Sequence, residues 1–376
     1  MPRKTTRKIM SLFLTINLVY HKIAVADKVG YNNLRNSNFC IIMLAKRIGI
    51  DLGTANSLVW VEGQGVVLNE PTVVAVTIDD NRVIAVGNEA KQMLGRTPGN
   101  IRASRPMRDG VIADYVVTEA ILRYFIQKAS SKNFFFKPEV MICVPAGCTQ
   151  VERRAVLDAT LSAGARTAYL IDEPLAAAIG AEIPIAAPSG SMIIDIGGGA
   201  AEAAIISLGA VVVHKSVRVA GNKIDEAIAS WTRKRHNLII GDQTAESVKI
   251  KIGSAMPVAK EEKIEVKGRD SVIGLPKIIE LTSTEITEAI RPTLNQIIGA
   301  VKSVLEETPP ELASDIIDKG IVMSGGTSML RGFDKYLTQE IGVPSHVAED
   351  PMFCVVKGIG LALENIDLYK RTVTQK

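Results

Sequence analysis

The sequence predicts an α/β protein made of two halves of like design. Residues 46–59 (KRIGIDLGTANSLV) and 191–210 (SMIIDIGGGAAEAAIISLGA) follow one plan: an apolar strand, an aspartate near its end (Asp51, Asp195), a small-residue turn and a returning strand. After each, helix and strand patterns recur in the same order. At 376 residues the chain is long enough for two domains of ordinary size.

In the first half, residues 65–77 read as strands around a bend at Pro71, 79–81 as a turn and 82–87 as a strand. Residues 89–94 have helical spacing, and 96–110 read as a polar loop with two prolines. Apolar residues at 117, 121, 122, 125, 126 and 129 predict an amphipathic helix over 117–130. Strand 140–145 follows, then helix 149–164 with Thr149 as N-cap and Gly164 as its stop, strand 168–171 and the alanine-rich helix 175–181. Residues 183–188, with two prolines, read as a crossing between domains.

In the second half, strand 214–219 leads to helix 221–235. Helix 244–253 sets Glu246 and Lys249 three apart on one face. Residues 260–281 alternate in β fashion with a turn near Gly268, and 284–307 form a long helix closed by Pro309 and Pro310. Strand 319–324, a turn at Gly325 and Gly326 and a helix from Ser328 complete the order.

The glycine turns suggest the chemistry. Consecutive glycines let backbone N–H groups converge on a phosphate without Cβ interference, and a carboxylate at the strand end can hold a divalent cation, directly or through water. A single such turn also suits an ordinary β-turn; its repetition favours the phosphate reading. No Walker A sequence, GxSxG elbow or complete GxGxxG occurs.

Composition narrows the class. Apolar residues at 47% and charged residues at 22% are those of a folded globular chain. The net charge of +4 comes from residues 1–42, which carry seven Lys/Arg against one acid, so the remainder is net negative and gives no support to nucleic-acid binding. Cys40, Cys143, Cys148 and Cys354 lack metal spacing and read as reduced, structural residues of a cytoplasmic protein.

Residues 1–42 imitate a secretory signal peptide, with a basic start and an apolar stretch. Three readings stand: a membrane-surface anchor, a disordered extension, or an early start with Met43 as the true first residue, the last preferred. Phe134, Phe135 and Phe136 lie in a polar loop between Lys132 and Lys137. They read either as the start of a buried strand or as a loop tip dipping into a membrane with lysines at anionic headgroups. Two buried phenylalanines contribute roughly 2–3 kcal/mol each, so one copy binds weakly and a polymer firmly.

With both hairpins and the Gly325 turn, the sequence resembles the actin, Hsp70 and sugar kinase superfamily and, within it, the MreB family of bacterial actins. The matching stretches include IGIDLGTANSLV (48–59), LNEPTVVAV (68–76), RPMRDGVIADY (105–115), VERRAV (151–156), DEPLAAAIGA (172–181), DIGGG (195–199), TPPELASDI (308–316) and SGGTSMLRG (324–332), and the resemblance runs from Lys46 to about Leu368. It implies an actin-like ATPase fold: two lobes, each with a duplicated RNase H-like mixed five-stranded sheet flanked by helices, with smaller inserted subdomains. The implied domains are 43–187, with 350–376 packing back on it, and 188–349.

The resemblance further implies ATP and Mg²⁺ between the lobes. Thr54, Ala55 and Asn56 would face the phosphates from one hairpin, Gly197, Gly198 and Gly199 from the other, with Asp51 and Asp195 organising hydrated Mg²⁺. Glu246, Ser247, Val248 and Lys249 would meet ribose and base edge, and Gly325, Gly326, Thr327 and Ser328 the adenosine. Glu152 would polarise the attacking water. Phe134–Phe136 would be the membrane-insertion loop.

The implied function is a filament-forming ATPase at the inner face of the cytoplasmic membrane, working with membrane proteins of the cell-wall elongation machinery to maintain rod shape. The alternative is another superfamily member, a plasmid-segregation or pilus-type actin-like protein or a sugar kinase. Ala200 and Ala201 replace two threonines usual in the family, which implies slow hydrolysis, and Asn222 replaces a usual aspartate.

Overall fold

The chain divides into two units, Met1–Ala45 and Lys46–Lys376. In this computed structural model the structure describes residues 46–80, 82–108, 111–112, 115–130 and 137–376. The predicted extension over 1–42 and Phe134–Phe136 lie outside the described residues.

Two sheets of matching topology organise the second unit. In the first, β1 (Arg47–Leu52), β2 (Asn56–Val61) and β3 (Gly65–Pro71) form an antiparallel meander, and β4 (Glu139–Val144) and β5 (Thr167–Asp172) add in parallel beyond β1. In the second, β6 (Ser191–Ile196), β7 (Ala201–Ser207) and β8 (Ala210–Val217) form the meander, and β9 (Ile321–Ser324) and β10 (Ser345–Val347) add in parallel beyond β6. A short strand, β11 (Thr374–Gln375), pairs antiparallel with β5 and brings the first sheet to six strands against the five implied. The central strands β4 and β6 are buried throughout, which is why they read as continuous apolar runs rather than alternating ones.

Each half carries a three-stranded insertion. Val74–Thr77, Val83–Val86 and Ile101–Ser104 pair beside α1 (Asn88–Met93). The strand Ile101–Ser104 lies within the predicted loop 96–110: its partner, Val74–Thr77, is distant in sequence, so no local pattern announces it. In the other half, Leu238–Ile239, Lys263–Asp270 and Pro276–Thr282 pair. Gly268 is inside a strand and not at the turn, because a Cβ there would stand 2.4 Å from the Ile239 carbonyl oxygen of the neighbouring strand.

The longer helices are α2 (Tyr115–Ala129), α3 (Gln150–Ser162), α4 (Glu173–Gly180), α5 (Gly221–His236), α6 (Asp242–Ile252), α7 (Ser283–Glu306), α8 (Pro310–Lys319), α9 (Phe333–Ile341) and α10 (Cys354–Glu364). Capping boxes, Thr149 with Glu152 and Thr282 with Glu285, start α3 and α7. Of the two prolines expected to close α7, Pro310 opens α8, a helix absent from the sequence reading; its ring suits a first turn that needs no donor there.

Three main cores result. One fills the first sheet against α2 and α3, one the second sheet against α5 and α7, and the third lies around α4 and α10 between the inner faces of both sheets. There the two helices touch backbone to backbone: a Cβ at Gly180 would stand 1.8 Å from the Cys354 carbonyl oxygen, and one at Gly358 1.8 Å from that of Ala176. Only glycine permits this approach. Among the described residues no helix is long and apolar enough to cross a membrane.

Candidate functional site

The two aspartate hairpins meet tip to tip. A Cβ at Gly198 would lie 2.5 Å from Ala55 Cβ, and one at Gly199 2.5 Å from Thr54 Oγ1. The first turn is pinned by Thr72, whose hydroxyl donates to the Gly53 carbonyl (2.6 Å) and lies 2.7 Å from Ser57 Oγ. The second is closed by Gly197 N–H on the Ala200 carbonyl (3.0 Å) and held by the Thr327 hydroxyl donating to the Gly197 carbonyl (2.7 Å). Gly325, at φ +83°, runs so close to the end of β6 that a Cβ would meet Ile196 O at 2.4 Å. Three glycine-bearing turns thus open onto one cavity of about 970 Å³, a volume that suits a nucleotide-sized ligand.

Of the residues singled out from the sequence, Asp51, Thr54, Ala55, Asn56, Glu152, Asp195, Gly197, Gly198, Gly199, Glu246, Lys249, Gly325, Gly326 and Thr327 line this cavity. Ser247, Val248 and Ser328 do not. On α6, positions 246, 249 and 250 share the cavity face with the C-cap Gly253, while Val248 packs into the second core with Ala245 and Ile252. Ser328 is buried and donates to the Gly325 carbonyl at 2.6 Å, shaping the turn from behind. Ala200 lines the cavity, whereas Ala201 is buried in the second core.

The floor is acidic. Asp51 and Asp195 are both buried. Burial, reinforced by the negative charge of Asp195, pushes the Asp51 carboxyl up to about 7. Burial also raises Asp195, although the Ser324 hydroxyl donates to its Oδ1 at 2.5 Å. On the α6 side, Lys249 Nζ stands 2.9 Å from Asp225 Oδ1 and donates to the Gly221 carbonyl at 3.2 Å. Glu246 faces Lys91 of the first half at 3.4 Å, and Gln243 donates to the Lys91 carbonyl at 3.0 Å.

Glu152 closes its own helix cap. Its Oε2 accepts from Thr149 N–H and from the Thr149 hydroxyl, each at 2.8 Å, leaving Oε1 outside the cap. These bonds, with the more distant charge of Arg218, hold the carboxyl below its ordinary range, so it stays ionised at neutral pH. The neighbouring Arg153 turns away and pairs with Asp172.

Three lining or adjoining carboxylates escaped the sequence reading: Glu173, Glu202 and Asp225. Burial and then Glu202, Asp195 and Asp51 hold Glu173 well above the usual range, and burial raises Glu202 to about 7 and Asp225 to about 6. One signal was available. Glu202 is the single charge in AEAAIIS, a strand buried along its whole length.

Comparison places this architecture. A profile of the MreB/Mbl protein family matches residues 45–371. The cell shape-determining protein MreB of Escherichia coli (strain K12) is 52% identical over 332 residues, covering 87% of this chain and 96% of that one. The cell shape-determining protein Mbl of Bacillus cereus is 50% identical over 325 residues, covering 86% and 98%. The crystal structure of MreB5 of Spiroplasma citri bound to AMPPNP superposes with a TM-score of 0.83 at 39% identity, covering 87% of this chain and 98% of that chain. The fold is actin-like, and the chain belongs to the MreB/Mbl family.

Proposed function

We propose that this chain is a cytoskeletal protein that binds ATP with Mg²⁺ between its two hairpins and polymerises at the inner face of the cytoplasmic membrane, directing cell-wall synthesis to maintain rod shape. The observation that carries this is the convergence of both hairpins and the Gly325 turn on one cavity. The relative from Spiroplasma citri was solved with AMPPNP, and the Escherichia coli and Bacillus cereus relatives are named for cell shape. We further assign residues 43–187 with 350–376 to one domain and 188–349 to the other.

The residues present fit hydrated Mg²⁺. Asp51 and Asp195 repel one another in a buried floor, a conflict that a cation relieves. Among the described residues no group of three or more His, Cys, Asp or Glu forms a metal cage. Mg²⁺ keeps several of its waters and takes further oxygens from phosphates, so the two carboxylates suffice. When bound, it supplies charge neutralisation at the phosphates. The backbone N–H groups of Thr54–Asn56 and of Gly198 and Gly199 grip the phosphates, with Gly197 N–H closing the turn on Ala200; Lys249 and Glu246 bound the nucleoside, and Glu152, oriented through its capped Oε2, polarises water with Oε1. Glu152→Ala is expected to slow phosphate release at least about tenfold while leaving ATP binding intact.

Ala200 and Ala201 do not contribute alike. Only Ala200 faces the cavity, so Ala200→Thr is expected to raise the phosphate-release rate. Ala201→Thr adds a hydroxyl to a packed core and is expected to lower the melting temperature without that gain. Equal rates for wild type and Ala200→Thr contradict a role for the lost hydroxyl.

Head-to-tail contact between copies is heterologous and need not close, so one chain suffices for filaments. We place the membrane contact at Phe134–Phe136. With Mg·ATP and vesicles containing anionic lipid, wild type co-sediments, and Phe135→Ser with Phe136→Ser is expected to lose vesicle binding while still pelleting as filaments. Retained vesicle binding moves the anchor to residues 1–42.

A further inference from the structure

We propose that Glu202 is a positioning residue: its buried carboxylate, on the second sheet, holds the first-sheet loop that leads into Glu152. The inference rests on the reading of Glu152 given above. Glu202 sits on β7, two residues past the cavity-lining Ala200, and its Oε2 accepts the Ala146 backbone N–H at 3.2 Å. Ala146 belongs to the turn after β4, which Cys148 N–H closes on the Pro145 carbonyl at 3.0 Å. Thr149, the cap that grips Glu152, follows at once. Ser216 is the cross-strand partner of Glu202 on β8, and Gly147 lies over it, where a Cβ would stand 4.0 Å from Ser216 Cβ. Arg218, at the end of that strand, adds attraction to Glu152 itself. The loop of one sheet is thus seated on two strands of the other, and the carboxylate supplies its buried hydrogen bond.

The duplicated design shows that the fold does not ask for a charge here. In the second hairpin Asp195 pairs across the strands with Glu202; in the first, Asp51 pairs with Leu58. A leucine serves at the equivalent place. The glutamate is also costly: it is buried near Asp195, and its Oε1 has no hydrogen-bond partner. Its return is the bond to Ala146, which fixes the start of α3 relative to the Gly197–Gly199 turn. An acceptor oxygen meets that need, so a neutral amide can replace the carboxylate.

The test measures phosphate release at saturating Mg·ATP, normalised to pelletable protein, together with ATP affinity by calorimetry, for the full chain and five variants. Glu202→Ala is expected to slow release about tenfold with ATP affinity within about twofold, and Glu202→Gln to keep at least about half the wild-type rate. In the Glu152→Ala background, Glu202→Ala is expected to have no further effect, because it acts through Glu152. Ala146→Pro, which removes the donor and leaves the carboxylate in place, reproduces the slowing and serves if Glu202→Ala does not fold. Multiplying effects in the double variant, or a Gln variant as slow as the Ala variant, overturn the inference while the reading of Glu152 stands. An unchanged rate in Glu152→Ala overturns both.

Discussion

Gly358→Val is expected to cost more stability than most single substitutions, because the new side chain would begin 1.8 Å from the Ala176 carbonyl oxygen. That atom is backbone of α4 and cannot rotate away. The contact is reciprocal, with Gly180 against the Cys354 carbonyl, so α4 and α10 must part along the whole crossing. Both helices lie between the two sheets in one core, and their separation opens the contact that joins the halves. Overpacking of this kind exceeds the usual 1–3 kcal/mol, and about 4 kcal/mol or more is expected. Such a loss lowers the melting temperature by about 6 °C or more, or prevents folding. Gly299→Ala, on α7 where a Cβ meets nothing within 4 Å, is the matched control and should gain up to about 1 kcal/mol. A melting temperature for Gly358→Val within about 2 °C of wild type contradicts this packing account.

Gly198→Val is expected to weaken nucleotide binding while leaving the fold intact. Its Cβ would stand 2.5 Å from Ala55 Cβ at the meeting point of the hairpins, and its methyl groups project where phosphates would enter. The turn tips can part without disturbing the sheets, so the cost falls on the ligand. Overpacking of about 1–3 kcal/mol corresponds to a loss of about 5- to 150-fold in Mg·ATP affinity by calorimetry. Affinity within about threefold of wild type shows that the phosphates lie elsewhere.

Much of this architecture was legible because it is local. Asp51 and Asp195 each end an apolar strand before a small-residue turn, Thr149 precedes its helix with Glu152 at the third position, and α7 carries a clear apolar face. What was not legible depends on partners far along the chain. Ile101–Ser104 becomes a strand only beside Val74–Thr77, and two-residue β11 has no periodicity to read. Gly268 reads as a turn residue until the neighbouring strand shows why it lacks a side chain. At the site, Ala200 and Ala201 are equivalent in sequence, yet Ala200 ends the glycine turn and lines the cavity while Ala201 opens β7 and is buried in the core, and Glu202 gains its meaning from Ala146, on the other sheet. The resemblance named which residues gather, whereas hydrogen bonds alone show that Glu152 is held through one oxygen by its own cap.

The central claim, that nucleotide in the cleft between the hairpins drives assembly, is tested most directly by pelleting the purified wild-type chain with Mg·ATP, with Mg²⁺ alone, and with ATP plus a chelator. The account predicts filaments in the pellet with Mg·ATP and soluble protein in the other two. Equal pelleting in all three, or none in any, contradicts it.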